Sequence, residues 1–208
     1  GVYPLEKDEI ARLIQQTEIL TRLVNDLREL TQAEAHQLRI VKTEVDLAAL
    51  ALRTADAFQV AAHERGVRLV AEAPQQPVHI QAEAGRIGQV LSNLIQNALT
   101  HTPAEGEVRV TLASEGDAAL LTVADTGAGI AAEHLPHIFD RFYRADRSRS
   151  RDTGGSGLGL AIAKAYVELH DGTITVESAR SSSTCTMTAK RRPLCSCPPR
   201  LVAGSDTS

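Results

Sequence analysis

Ile10, Leu13, Ile14, Thr17, Leu20, Val24, Leu27 and Thr31 recur every three or four residues. That is the spacing of one helix face. Pro4 and Asp8 stand where such a helix would begin, so the pattern predicts one helix over residues 8–35. At ~1.5 Å per residue this is a rod of roughly 42 Å. A rod cannot bury its own stripe, so it needs a partner helix or a second chain. The rest of the chain must build a separate core. Aromatics are only 3% and Trp is absent, so Leu, Val, Ile and Ala do the packing within a hydrophobic content of 43%. That content is too high for a disordered chain.

The 208 residues suffice for about one to one and a half domains. Lys plus Arg is 22 against 26 for Asp plus Glu, a formal charge of −4. This argues against a basic nucleic-acid-binding domain. No run of about 18 apolar residues is present, so no membrane contact is expected. No basic-then-apolar signal segment opens the chain. Three Cys, two near the end, do not make a disulfide framework, and a reducing compartment is the default. The chain opens on Gly1 and its only Met is Met187, so it is expected to be a piece of a larger protein.

Leu38 to Val45 alternates as a short edge strand would. Asp46 then caps a helical run to about Arg65, stopped by Gly66. Val67–Ala73 and Val78–Gln81 are short strands, and Ala84–Thr100 is a buried helix. Val108–Ala113 and Ala119–Asp125 form a hairpin around Glu115-Gly116-Asp117. Residues 126–159 are Gly-rich and charged, with Arg141, Arg144, Arg147, Arg149 and Arg151. A loop of that length is usually functional. Gly159–His170 is a helix, Thr173–Ser178 a strand and Thr184–Ala189 the last strand. The end, from residue 191 on, reads as a disordered tail.

Three segments carry chemistry. Asn93 and Asn97 share one face of a helix; their amide oxygens could hold Mg²⁺ or touch phosphate, or simply satisfy neighbouring backbone groups. In Asp125-Thr126-Gly127-Ala128-Gly129-Ile130 a carboxylate ends a strand, where it can accept from an exocyclic amine. The glycines beside it let a flat ring approach. Gly154-Gly155-Ser156-Gly157-Leu158-Gly159-Leu160 opens a helix, where free N–H groups bind anions. It fits neither the dinucleotide fingerprint nor the P-loop spacing.

In this order the segments resemble the asparagine box and the two glycine boxes of bacterial sensor histidine kinases. Ile138-Phe139-Asp140-Arg141-Phe142-Tyr143-Arg144 resembles the intervening phenylalanine box, and Glu168-Leu169-His170-Asp171-Gly172 also matches. The resemblance runs from about residue 5 to 189. It implies an α/β fold, the two-layer sandwich of the Bergerat ATP-binding fold, with a mixed sheet and helices on one face behind the long N-terminal helix. The superfamily includes gyrase, the ninety-kilodalton heat-shock chaperone and mismatch-repair ATPases. The cofactors implied are ATP and Mg²⁺, with Asn97 as the metal ligand and Asn93 on the phosphate side. Asp125 would accept from the adenine amine, Gly127 and Gly129 would shape its pocket, and His101 would lie over the nucleotide. Gly155, Gly157, Leu158 and Gly159 would line the phosphate end under a lid. The lid, residues 131–153, would be anchored by Phe139 and Phe142, its ordering dependent on ligand. Arg144 would compensate γ-phosphate charge.

The resemblance further implies phosphoryl transfer from ATP to a His, and then to an Asp of a response regulator. The family's acceptor box, like His-Glu-Leu-Arg-Thr-Pro, is missing here. His36-Gln37-Leu38-Arg39 lacks the Thr-Pro, and His63-Glu64 belongs to the nucleotide domain. Residues 1–36 are then expected to be the second helix of a truncated dimerisation domain, 37–190 the catalytic domain and 191–208 a tail. The full protein would be a cytoplasmic homodimer in this part, with a membrane anchor open for the parent. Thr100 stands where the family often has Lys or Arg, and the usual glycines before the last strand are lost. Thr100 and the missing acceptor leave a second reading, a degenerate nucleotide- or regulator-binding module without kinase activity. A gyrase-type ATPase would need a Glu where this chain has Asn93.

Overall fold

The computed structural model describes residues 7–34, 38–145, 156–179 and 182–191. Its elements are α1 (Lys7–Glu34), β1 (Thr43–Asp46), α2 (Leu47–Ala57), α3 (Gln59–Glu64), β2 (Arg68–Glu72), β3 (His79–Ala82), α4 (Ala84–His101), β4 (Glu107–Glu115), β5 (Ala118–Asp125), α5 (Gly159–Leu169), β6 (Thr173–Ala179) and β7 (Ser182–Lys190). Five strands form one sheet in the order β2-β4-β5-β7-β6. The β2–β4 pair is parallel and the other three are antiparallel, so the sheet is mixed, as expected. Helices α2, α4 and α5 pack on it, and β1 and β3 form a separate antiparallel pair.

Strand parity explains the layering. Successive side chains point to opposite faces, and in β5 Ala119, Leu121, Val123 and Asp125 are all buried. Their register partners on β7 are Ala189, Met187, Cys185 and Ser183. One continuous apolar face thus runs under the helices and ends in Asp125 and Ser183. α4 supplies the facing layer with Ile87, Val90, Leu91, Leu94, Ile95, Ala98 and Leu99, all buried.

Two local expectations need correction. The helix expected from Asp46 to Arg65 is capped by Asp46, whose Oδ1 accepts from the amides of Ala48 and Ala49 at 3.0 and 3.3 Å. It closes at Ala57, however, where the Phe58 amide donates back to the Ala55 carbonyl. A one-residue break leaves the apolar spacing unchanged, so periodicity cannot register it. The edge strand expected over Leu38–Val45 begins only at Thr43. β3 is four residues long before α4 starts, so no ladder is left for residues 38–42. The Val41 amide donates instead to the Glu83 carboxylate at 3.3 Å.

Candidate active site

Asp125 closes β5 on the helix-facing side. Its Oδ1 accepts from the Gly127 amide at 2.9 Å, and its Oδ2 accepts from the Ser183 hydroxyl. Ser183 is its direct register partner, and directly opposed residues share a face. The carboxylate is therefore held at both oxygens while lining a cleft with Asn97, Ile130, Ile138, Leu160 and Val176. Gly127 is required here: a Cβ would fall 2.4 Å from the His101 carbonyl oxygen and 2.8 Å from Asp125 Oδ1. Gly129 turns the chain at φ +71°, a conformation glycine adopts at no steric cost.

α4 brings its asparagines to the same region. Asn97 lines the same cleft as Asp125. One turn earlier, the Asn93 amide donates to the Gly159 carbonyl at 3.0 Å, tying α4 to the first residue of α5. The Asn93 side chain thus satisfies a backbone group. His101 ends α4 with its side chain exposed. Neither His101 nor Arg144 is among the residues lining the cleft, and Arg144 is half-buried.

The third segment packs as close backbone. A Cβ on Gly157, at φ +70°, would fall 3.0 Å from the Phe142 backbone. The Phe142 amide donates to the Gly157 carbonyl at 3.0 Å. Leu158 is fully buried, so it anchors the start of α5 in the core. Gly155, Arg147, Arg149, Arg151, His36 and the tail from 192 on lie outside the described residues. Phe139 is held by Lys164, whose Nζ lies 5.9 Å from the ring centre. Phe142 does not act as the expected apolar anchor, because the residue is 58% exposed. Its φ of +59° turns the chain to meet Gly157. His134 Nδ1 meets the Tyr143 hydroxyl at 2.8 Å and His137 Nδ1 meets Asp140 at 2.9 Å. Among the described residues no cluster of three His, Cys, Asp or Glu could hold a metal ion.

Sequence reasoning missed two polar groupings. Glu29 of α1 accepts from Arg86 at 3.0 Å, Gln89 at 2.9 Å and the Tyr166 hydroxyl at 2.7 Å. The Arg86 guanidinium also stacks 4.9 Å above the Tyr166 ring. Burial alone would raise the Glu29 carboxyl, but these hydrogen bonds outweigh it and hold it below its ordinary value. At the far end of α5, His170 Nδ1 donates to the Tyr166 carbonyl at 2.6 Å and its Nε2 accepts from the Glu83 amide at 3.0 Å. Burial lowers its pKa. Cys185, beneath the cleft, has its thiol pushed up to about 12 by burial, so it is an inert wall residue. Residues this far apart in sequence leave no local signal.

A family model described as histidine kinase-, DNA gyrase B-, and HSP90-like ATPase matches residues 82–193, more than half of the chain. The chain belongs to this ATPase family. The match spans the asparagine pair, Asp125 and both glycine segments, and the family's ligand, ATP, is accordingly the ligand of this domain. The sensor protein IrlS of Burkholderia pseudomallei is 37% identical over 172 residues, 83% of this chain and 36% of IrlS. The sensor histidine kinase WalK of Bacillus subtilis is 33% identical over 171 residues, 81% of this chain and 28% of WalK. Among solved structures, the histidine kinase AdeS of Acinetobacter baumannii superposes with a TM-score of 0.76 at 29% identity, covering 91% of this chain and 87% of the solved AdeS chain. Full-length ShkA in complex with AMPPNP gives 0.79 at 26% identity, covering 92% of this chain and 40% of ShkA. The chain spans about a third of the length of the curated relatives it matches. No described helix is long and apolar enough to cross a membrane.

Proposed function

We propose that this chain is the ATP-binding, phosphoryl-donating unit of a sensor histidine kinase. It would transfer the γ-phosphate of ATP to a His on a helix outside this chain, for onward transfer to an Asp of a response regulator. The observation that carries the proposal is the geometry around Asp125: a carboxylate fixed at both oxygens and lining a cleft that Asn97 also lines. The free lone pairs of Asp125 accept from the adenine amine, and Gly127 and Gly129 leave room for the ring. Asn97 would offer its amide oxygen to Mg²⁺. With no acidic cluster among the described residues, most of the remaining ligands would be water and phosphate oxygens, which suits Mg²⁺. The N-terminal end of α5, with Gly155, Gly157, Leu158 and Gly159, would receive the phosphates. Arg144 would reach the γ-phosphate as its charge changes, and His101 would cover the nucleotide.

Transfer is favoured over hydrolysis because Asn93 cannot serve as a base for water. Its amide is committed to the Gly159 carbonyl. Residues 1–36 would be the second dimerisation helix, 37–190 the catalytic domain and 191–208 a tail. The full protein would be a homodimer through α1, with this part in the cytoplasm where its ATP is supplied.

Incubating the chain with labelled ATP and a separately supplied acceptor-helix domain tests the reading. Phosphohistidine should form on the acceptor, and the chain alone should stay unlabelled. Asp125→Asn should weaken ATP at least tenfold while leaving inorganic tripolyphosphate binding nearly unchanged. Retained nucleotide binding without transfer would favour a degenerate module.

A further inference from the structure

Asp125 on β5, Ser183 on β7 and Ser178 on β6 are successive register partners across three strands. Directly opposed residues point to one face, so the three form a polar row along the cleft end of the sheet. Ser183 holds the Asp125 carboxylate. Ser178 acts on the other end of the same loop. Its Oγ accepts from the Ile130 amide at 2.7 Å and donates to the Ser182 carbonyl at 2.8 Å. The segment Asp125–Ile130 is therefore fastened at both ends to the β6–β7 hairpin. Between the two fixings lie Gly127, which has no space for a side chain, and Gly129 at φ +71°. That stretch cannot shift unless one of the fixings gives way.

We propose that Ser178 is a positioning residue for the base-binding loop, acting through the Ile130 amide to set the width of the slot that receives the purine. The inference rests on the nucleotide reading of Asp125. It adds that recognition of the base, as opposed to the phosphates, depends on a hydroxyl two strands away. With Ser178 replaced by Ala, the Ile130 amide loses its acceptor, and a half-buried donor left unpaired is costly enough to favour a different loop position. Among the described residues the start of α5, which would receive the phosphates, shares no hydrogen bond with this row.

The test is calorimetric binding of AMPPNP and of inorganic tripolyphosphate, each with Mg²⁺, to the whole chain and to Ser178→Ala and Ser178→Thr. Ser178→Ala should weaken AMPPNP about tenfold, leave tripolyphosphate within twofold, and keep a cooperative thermal transition. Ser178→Thr, which keeps the hydroxyl, should restore most of the AMPPNP affinity. Unchanged AMPPNP affinity in Ser178→Ala would overturn the inference while leaving the nucleotide site intact. Equal losses of both ligands, or no rescue by Thr, would make Ser178 a general structural residue and also overturn it. A wild-type chain that binds no AMPPNP would overturn the nucleotide reading itself and this inference with it.

Discussion

In α4 the apolar residues Val90, Leu91 and Ile95 are fully buried, whereas in α1 Leu20 stands 63% and Val24 59% exposed. Both helices carry an apolar stripe at the same spacing. α4 lies on the sheet, and its polar positions follow: Asn97 lines the cleft and Asn93 meets the start of α5. α1 touches the rest of the chain mainly at its C-terminal end, where Leu30 and Ala33 are buried and Glu29 meets Arg86, Gln89 and Tyr166. The contrast teaches that a stripe predicts a helix and a need for burial, but not the partner. A groove of ≈ 620 Å³ along Ile10, Leu13, Ile14 and Thr17, far from the chemistry, marks where that need is unmet.

The largest test of the contrast is a pair of truncations. Ile95→Ala in α4 should cost about 2–5 kcal/mol by denaturant unfolding, because it leaves a cavity in packed surroundings. Leu20→Ala in α1 should stay within about 0.5 kcal/mol. A cost above 2 kcal/mol at Leu20 would break the comparison by showing that the stripe is covered in solution.

Tyr166→Phe probes a network that the two helices share. It removes the hydroxyl that donates to Glu29 and accepts from Arg86 at 2.7 Å, while keeping the buried ring. A loss of about 1–2 kcal/mol is expected. Hydrogen exchange should quicken at Leu30–Ala33 and stay slow at Val90–Ile95. Uniform acceleration across both helices would mean that α1 and α4 open as one unit.

Acid provides a smaller effect, directed at the start of α4. His170 has a folded-state pKa below its ordinary value, chiefly through burial, with Lys42 also lowering it and Glu83 and Asp171 opposing. The unfolded chain therefore binds the proton first. Stability should begin to fall as pH drops below about 6.5 and reach its full loss below the folded value. Protonation would also remove the Nε2 acceptor from the Glu83 amide. The thermal midpoint of His170→Gln should depend less on pH between 7 and 5.5 than that of the wild type. Equal slopes would exclude His170 as the origin.

The smallest effect on folding is expected from Leu20→Asp combined with Val24→Asp. Stability of the monomer should shift by no more than about 0.5 kcal/mol, and AMPPNP affinity should not change. Any self-association seen by sedimentation should disappear. A dimer that survives would place the interface on another surface.

The periods of the sequence, together with its glycines, determined most of the elements: Lys7–Glu34 as a helix, the hairpin around Gly116, the buried face of α4 and the α5 start at Gly159. Parity alone put Asp125 on the core side of β5, since its alternation with Ala119, Leu121 and Val123 is written in the chain. These are short-range facts, fixed by backbone geometry within one element. Only the tertiary structure decided which elements meet. It set Ser183 and Ser178 in register with Asp125, turned the Asn93 amide to Gly159, and closed Glu29 on Arg86 and Tyr166. It also broke the helix at Phe58 and left the Phe142 ring exposed. Such contacts join residues up to 137 positions apart, and their energy depends on burial and alignment that no local window of sequence contains.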